Sequence, residues 1–128
     1  MKKLIVLFLI AIMIINSVNA YAAQLADPYF ESATATLLSG KSVSIYLETR
    51  FIVSRIQINK CWIQKEVDGS WSNQNEFSYQ YLYAENTLSY GETINYSSNI
   101  TCPGKYRIKC TAETCGHTIT IYSNSYTF

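Results

Sequence analysis

The chain of 128 residues carries 10 basic and 9 acidic side chains, and this near balance lacks the basic excess that captures nucleic acid electrostatically. Aromatic residues make up 14% of the chain, eleven of them tyrosine, and charged residues only 15%. Disordered chains are rich in charge and poor in aromatic residues, so this composition excludes a wholly disordered protein. The length is that of about one domain.

The N-terminus has the features of a secretory signal peptide. Lys2 and Lys3 form a positively charged start, an unbroken apolar run follows at 4–15, and an A-x-A cleavage pattern occupies 20–22. As a helix the apolar run would span only about 18 Å, against about 30 Å for a bilayer core, which disfavours a membrane anchor. We therefore predict a cleaved signal peptide over 1–22 and a secreted, extracellular protein.

Residues 23–128 are expected to form a single all-β domain. No long run places apolar residues at helical spacing, whereas alternation of apolar and polar residues recurs along the chain. Val43, Ile45 and Leu47, for example, alternate with more polar neighbours. This alternation is typical of antiparallel strands that bury one face. Seven strands are predicted, at 33–38, 42–50, 54–66, 76–84, 88–96, 105–112 and 117–127.

Turn or bend signals separate these segments, as expected for a two-sheet immunoglobulin-like β-sandwich. They are Ser39-Gly40-Lys41, Asp68-Gly69 and Pro103-Gly104, and Tyr90-Gly91 marks a bend or bulge within the segment at 88–96. Ile56 and Ile58 lie on one face of the third segment, whereas Cys61 and Ile63 lie on the other. This change of face predicts a β-bulge near Asn59–Lys60.

Four cysteines, at 61, 102, 110 and 115, favour disulfides, because their number is even and the domain is predicted to be exported. Three connectivities are open. A four-residue hairpin loop would place Cys110 opposite Cys115, which leaves Cys61 for Cys102, and we favour these two bridges. The rival pairing of Cys61 with Cys110 would leave Cys102 and Cys115 about 26 Å apart, at opposite ends of a strand.

A metal site is disfavoured, and no cofactor is predicted. Cys110, Cys115 and His117 have the spacing C-x4-C-x-H. Structural zinc usually takes four ligands with tighter paired spacing, and this chain has a single histidine.

Three parts of the chain carry a family resemblance. Cys61–Lys65 with Asp68–Trp71 resembles the third strand and following turn of small secreted bacterial immunoglobulin-like or fibronectin-III-like β-sandwich proteins. Gly104–Cys110 resembles their sixth strand, and Asp27–Phe30 resembles their opening residues. These are uncharacterised proteins of Gram-positive bacteria, so the resemblance implies a fold and no function. It also implies that the hydroxyl of Tyr106 bonds to the chain just upstream.

The sequence departs from antibody-type domains in its cysteines. Tyr106 lies four residues before Cys110 rather than two, and the predicted strand at 42–50 contains no cysteine. An inter-sheet disulfide of the antibody kind is therefore not expected.

Conventional catalytic groups are missing from the sequence, and we predict that the protein is not an enzyme. His117 is the single histidine, and the sequence lacks the G-x-S-x-G, H-E-x-x-H and phosphate-loop motifs. Glycoside hydrolysis would require two carboxyl groups across a cleft. The available carboxylates lie singly on predicted turns and strand ends, at Asp68, Glu76, Glu85, Glu92 and Glu113.

The aromatic side chains are the strongest functional signal. If Cys61 and Ile63 face inward, Trp62 faces outward, and so do Arg107 and Lys109 on the expected neighbouring strand. These side chains predict a cation–π cluster on one exposed face. The alternative is that the aromatic residues serve mainly as strand formers and core filler. The candidate ligand-binding residues are Trp62, Trp71, Tyr79, Tyr81 and Tyr83.

Three functions are considered. The first is a non-catalytic extracellular domain that binds a protein or glycan partner, which the export signal and the aromatic residues favour. The alternative is a secreted antagonistic protein, bacteriocin-like or toxin-like, and the lesser alternative is a small secreted hydrolase. No nucleic acid partner is expected, and the oligomeric state is left open.

Overall fold

The structure is a computed structural model that describes residues 27–128, and the predicted signal peptide lies outside the described residues. These residues form seven antiparallel strands and no helix. The strands are β1 Phe30–Leu37, β2 Ser42–Val67, β3 Ser70–Ser78, β4 Tyr83–Asn95, β5 Lys105–Thr114, β6 His117–Tyr122 and β7 Tyr126–Thr127. The all-β prediction and the number of strands are confirmed.

Strand β2 organises the sheet because its 26 residues pair with four other strands. Its first part pairs with β1 on one side and β4 on the other. Its second part pairs with β5 and β3. Strand β6 continues the sheet beyond β5, and β7 pairs with the start of β5. The second part of the sheet therefore has the strand order β3-β2-β5-β6.

Both parts of β2 contribute to one hydrophobic core. Ile45 from the first part and Ile63 from the second are essentially inaccessible to solvent, and both belong to the same cluster of buried residues. Strand β5 alternates buried and partly exposed residues along its whole length after Lys105. This alternation fixes one face of β5 inward and presents the other face outward.

Two of the predicted strands are one strand. The segments at 42–50 and 54–66 join as β2, and the pairing with β4 shifts register between Glu48 and Val53. An irregularity of this kind bends a strand without ending it. The bulge predicted near Asn59–Lys60 is confirmed, because the register with β5 shifts between Ile58 and Lys60.

The strand predicted at 76–84 is misplaced. Strand β3 covers 70–78 and follows directly from the predicted turn at Asp68–Gly69, where both residues have positive φ angles. A loop at 79–82 then leads into β4. The bend predicted at Tyr90–Gly91 is wrong, since both residues pair in regular register with β2. The Ser39–Lys41 turn and the Pro103–Gly104 loop are confirmed.

The predicted disulfide partners are not brought together. All four cysteines are free in the structure, and Cys61 on β2 lies directly opposite Cys110 on β5. The hairpin between β5 and β6 turns at Cys115–Gly116, because Thr114 pairs with His117. This turn is shorter than the four-residue loop expected from the sequence, so Cys110 lies opposite Ile121 on β6 rather than opposite Cys115.

Candidate functional site

The outer face of strands β3, β2, β5 and β6 carries the predicted cation–π contacts. Trp62 on β2 lies directly opposite Lys109 on β5, and the Lys109 ammonium lies over the Trp62 ring, 4.9 Å from its centroid. Both side chains are half-buried. Their outward position follows from the alternation with Cys61 and Ile63, which are fully buried.

Arg107 lies two residues before Lys109 on the same face of β5, about 7 Å along the strand. Its guanidinium lies 4.5 Å from the ring centroid of Trp71 on β3 and 4.4 Å from that of Tyr122 on β6. Because β3 and β6 flank the β2–β5 pair, the two rings approach Arg107 across the same face from the two outer strands. Each such ring contact stabilises an exposed cation by about 0.5–1 kcal/mol.

A chain of hydrogen bonds orients this guanidinium. Arg107 Nε donates to Gln64 Oε1 at 2.7 Å, and Gln64 Nε2 donates to Asn73 Oδ1 at 2.8 Å. Gln64 is buried, so its amide is held between these two partners. With the two aromatic contacts, these bonds restrict the guanidinium to a narrow range of orientations.

We define the aromatic–cationic face as Trp62, Trp71, Arg107, Lys109 and Tyr122. Among residues 27–128, neither of its two cations forms a salt bridge.

The border of this face is electrostatically balanced. The Glu76 carboxylate forms a salt bridge of 3.0 Å with Lys60 and lies beside the Trp62 side chain. These contacts, first of all the bond from Lys60, hold the pKa of Glu76 below its usual value. Lys105 is paired with Glu66 at 3.4 Å. Of the cations on this face and its border, Arg107 and Lys109 are therefore the ones without a carboxylate partner among residues 27–128.

Of the five candidate residues, the structure places only Trp62 and Trp71 on this face. Tyr79 packs against the core, where its hydroxyl lies 2.8 Å from that of Tyr96. Tyr81 is 82% exposed in the loop between β3 and β4. Tyr83 lies on β4 beneath the guanidinium of Arg55, 4.1 Å from its ring centroid. The strand predicted at 76–84 would place Tyr79, Tyr81 and Tyr83 on one face, but the loop at 79–82 interrupts it and separates them.

Sequence reasoning missed Tyr122 and the Gln64–Asn73 pair. The signal for Tyr122 was available, since it follows the inward residues Ile119 and Ile121 in alternation, and it is 50% exposed. Asn73 could not be found from the sequence, because the β2–β3 pairing shifts register between Ile63 and Gln64. Ile63 lies opposite Asn75, whereas Gln64 lies opposite Asn73.

The hydroxyl-bearing side chain of Tyr96 is enclosed in the core. The Tyr96 ring lies 5.0 Å from that of Phe77, and its hydroxyl contacts Tyr79 and Cys61. Burial, together with the neighbouring Cys61, raises the pKa of Tyr96 far above its ordinary value. Tyr96 is therefore neutral at physiological pH and acts as a hydrogen-bonding group.

The single histidine joins the start of the described chain to the β5–β6 hairpin. His117 Nε2 lies 2.5 Å from Asp27 Oδ2, and the Tyr29 ring lies 5.3 Å from that of His117. Asp27 Oδ1 accepts hydrogen bonds from the backbone N–H groups of Tyr29 and Phe30. Burial raises the pKa of Asp27, but these backbone bonds and His117 outweigh it, so the pKa lies below its ordinary value.

Residues 27–128 contain no group of three or more His, Cys, Asp or Glu side chains arranged to hold a metal ion. The same residues include no helix long and apolar enough to cross a membrane. Comparison of the chain with protein-family models, with curated proteins and with solved structures finds no match.

Proposed function

We propose that this protein is a non-catalytic extracellular binding protein whose aromatic–cationic face holds an acidic glycan. Arg107 carries the proposal, because its guanidinium lies between two aromatic rings and is held by Gln64. Extracellular location is supported by the signal-peptide features of residues 1–22.

The chemistry of the face favours an anionic ligand. Nε of Arg107 donates to Gln64, and no other hydrogen bond or ion pair of this side chain occurs among the described residues. Its remaining N–H donors can meet a carboxylate in a bidentate pair. Lys109 lies about 7 Å away on the same strand and can meet a second anionic group.

A saccharide fits this face better than an acidic peptide segment. Sugar rings stack their C–H faces on flat aromatic side chains, and Trp62 and Trp71, each with a cation over one ring face, remain partly exposed. Asn73 adds an exposed amide that can bond to hydroxyl groups. Uronic acids combine a sugar ring with a carboxylate, and they are the class of ligand that we propose.

The proposal includes an immunoglobulin-like sandwich as the scaffold. Its support is the antiparallel all-β architecture, together with the hydroxyl of Tyr106, which donates to the carbonyl of Cys102 at 2.8 Å. This is the contact that the family resemblance implies.

Binding is tested with the processed protein on an array of acidic and neutral glycans. Affinity is then measured for hyaluronan oligosaccharides, which contain a uronic acid, and for chitin oligosaccharides, which do not. We expect binding to the hyaluronan oligosaccharides, weakening as salt rises. Arg107→Gln should reduce the affinity about ten-fold or more, because a charge-assisted bond is lost.

Arg55→Gln is the matched control. Arg55 also lies over a tyrosine ring, but it is already paired with Glu85 at 2.9 Å, and its substitution should leave glycan binding unchanged. An array without acidic-glycan binding, equal loss in both variants, or binding only to an acidic protein would each contradict the proposal.

A further inference from the structure

Cys61 and Cys110 form the one pair of cysteines that the sheet places face to face. They are directly opposite on β2 and β5 and both fully buried, with Tyr96 beside them. A sulfur pair in the centre of the core is thus already aligned by the strand register.

The backbone spacing suits a covalent bond. Directly opposite residues of antiparallel strands have Cα atoms about 4.5–5.5 Å apart, within the range of about 4.4–6.8 Å found in disulfides. The strand register therefore allows the two sulfur atoms to be joined without a change in pairing.

The other two cysteines cannot form a second bridge with each other. Cys102 precedes β5 and Cys115 follows it, so the ten residues of this strand separate them by about 30 Å. Both are exposed, whereas Cys61 and Cys110 are not. The even number of cysteines does not therefore require two intramolecular bridges.

We propose that Cys61 and Cys110 are joined by a disulfide in the exported protein, and that Cys102 and Cys115 stay outside this bridge. The proposal requires export but does not depend on the aromatic–cationic face. This bridge replaces the pairs Cys61–Cys102 and Cys110–Cys115, which the spacing of the cysteines in the sequence favours.

The bond forms by exchange with a disulfide donor, such as oxidised glutathione or an oxidoreductase. One thiolate of the pair attacks a donor sulfur, forms a mixed disulfide and releases one donor thiol. The second protein thiol, losing its proton to solvent, attacks the mixed disulfide and releases the other donor thiol. Two protein thiols are oxidised and one donor disulfide is reduced. Because both sulfurs are buried, the exchange precedes the final packing of the core.

Peptide mapping tests the connectivity. The full chain is expressed with export to an oxidising compartment, its free thiols are alkylated, and it is digested without reduction for mass spectrometry. We expect one linked peptide pair that contains Cys61 and Cys110, with Cys102 and Cys115 each alkylated or bonded to glutathione. Bridges Cys61–Cys102 or Cys110–Cys115, or alkylation of all four thiols, would overturn the proposal.

Thermal unfolding with and without reductant gives a second test. Reduction should lower the Tm by about 10–20 °C, because the bridge closes a long loop in the unfolded chain. The double variant Cys102→Ser/Cys115→Ser should keep this shift, and Cys61→Ala/Cys110→Ala should lose it. If the alanine variant does not fold, the serine variant still decides, since a Tm unaffected by reductant in that variant contradicts the bridge.

Discussion

Tyr106 shows how a single hydroxyl ties a strand to the loop that precedes it. The ring is almost fully buried, and the hydroxyl donates to the carbonyl of Cys102 four residues upstream. The contact fixes the chain as it enters β5, where backbone bonds also join Gly104 to Phe128 in both directions. This entry into β5, which we call the corner, is therefore held by the Tyr106 side chain and by the paired backbone of Gly104 and Phe128.

We expect Tyr106→Phe to lower the free energy of unfolding by about 1 kcal/mol, because one hydrogen bond is lost while the buried ring remains. Urea unfolding measures the difference. Tyr81→Phe is the matched control, since Tyr81 is 82% exposed and its hydroxyl faces water. Equal stabilities of Tyr106→Phe and the unmodified protein would show that the hydroxyl contributes nothing to the corner.

At the scale of elements, β2 determines how the other strands are placed. Along its length its neighbours change from β1 and β4 to β5 and β3, and each of these four pairings contains one register shift. The turn that ends β2 is equally specific. Asp68 and Gly69 both adopt positive φ angles, the conformation of the tight turns that join antiparallel strands. This turn sets the register of β3 and so brings Trp71 toward Arg107.

Gly69→Ala is expected to destabilise the protein by about 1 kcal/mol, because φ is +80° there and alanine avoids this conformation. No atom lies within 4 Å of the added Cβ, so the change in stability reports the backbone conformation and not a steric clash. Gly40→Ala is the control, since that turn glycine also has open space but no positive φ. Thermal or urea unfolding compares the two, and an equal effect at both positions would contradict the backbone explanation.

At the scale of the whole molecule, contacts between distant parts of the chain close the structure. Asp27 and His117 are 90 residues apart and bonded. Asn124 similarly joins the segment after β6 to Leu37 on β1, accepting from its N–H and donating to its carbonyl. These bonds connect both ends of the described chain to the sheet.

The Asp27 contact makes stability depend on pH. The pKa of Asp27 is lower in the folded protein than in the unfolded chain, so its contribution is present above about pH 4 and is lost as the pH falls through the folded value. We expect Asp27→Ala to cost about 1–2 kcal/mol at pH 7, since the carboxylate bonds two backbone N–H groups as a helix cap does.

Urea unfolding from pH 7 to pH 2 measures this dependence, and the gap between Asp27→Ala and the unmodified protein should narrow below pH 4. Asp27→Asn keeps an oxygen for the backbone donors and removes the charge, so it should be less destabilising than Asp27→Ala at pH 7. A gap that stays constant over the whole range would contradict the role given to the carboxylate.

Part of the candidate site followed from alternation alone. Trp62, Arg107 and Lys109 face outward because their neighbours are apolar, and strand geometry alternates the faces. Tyr79, Tyr81 and Tyr83 alternate equally well, yet they do not share a face. Alternation describes a residue only while the strand continues, and the sequence does not mark the loop at 79–82 strongly enough to end it.

By itself, the sequence determined the local properties of this protein: extended segments with one apolar face, the turn at Asp68–Gly69, the bulge near Asn59–Lys60 and, within residues 27–128, the absence of helix. These depend on neighbours within a few residues. The tertiary structure alone decided which segments pair, that Cys61 meets Cys110, and that rings from β3 and β6 flank Arg107. Those outcomes depend on strand order and register, which many residues far apart in the chain set together by burying one common core.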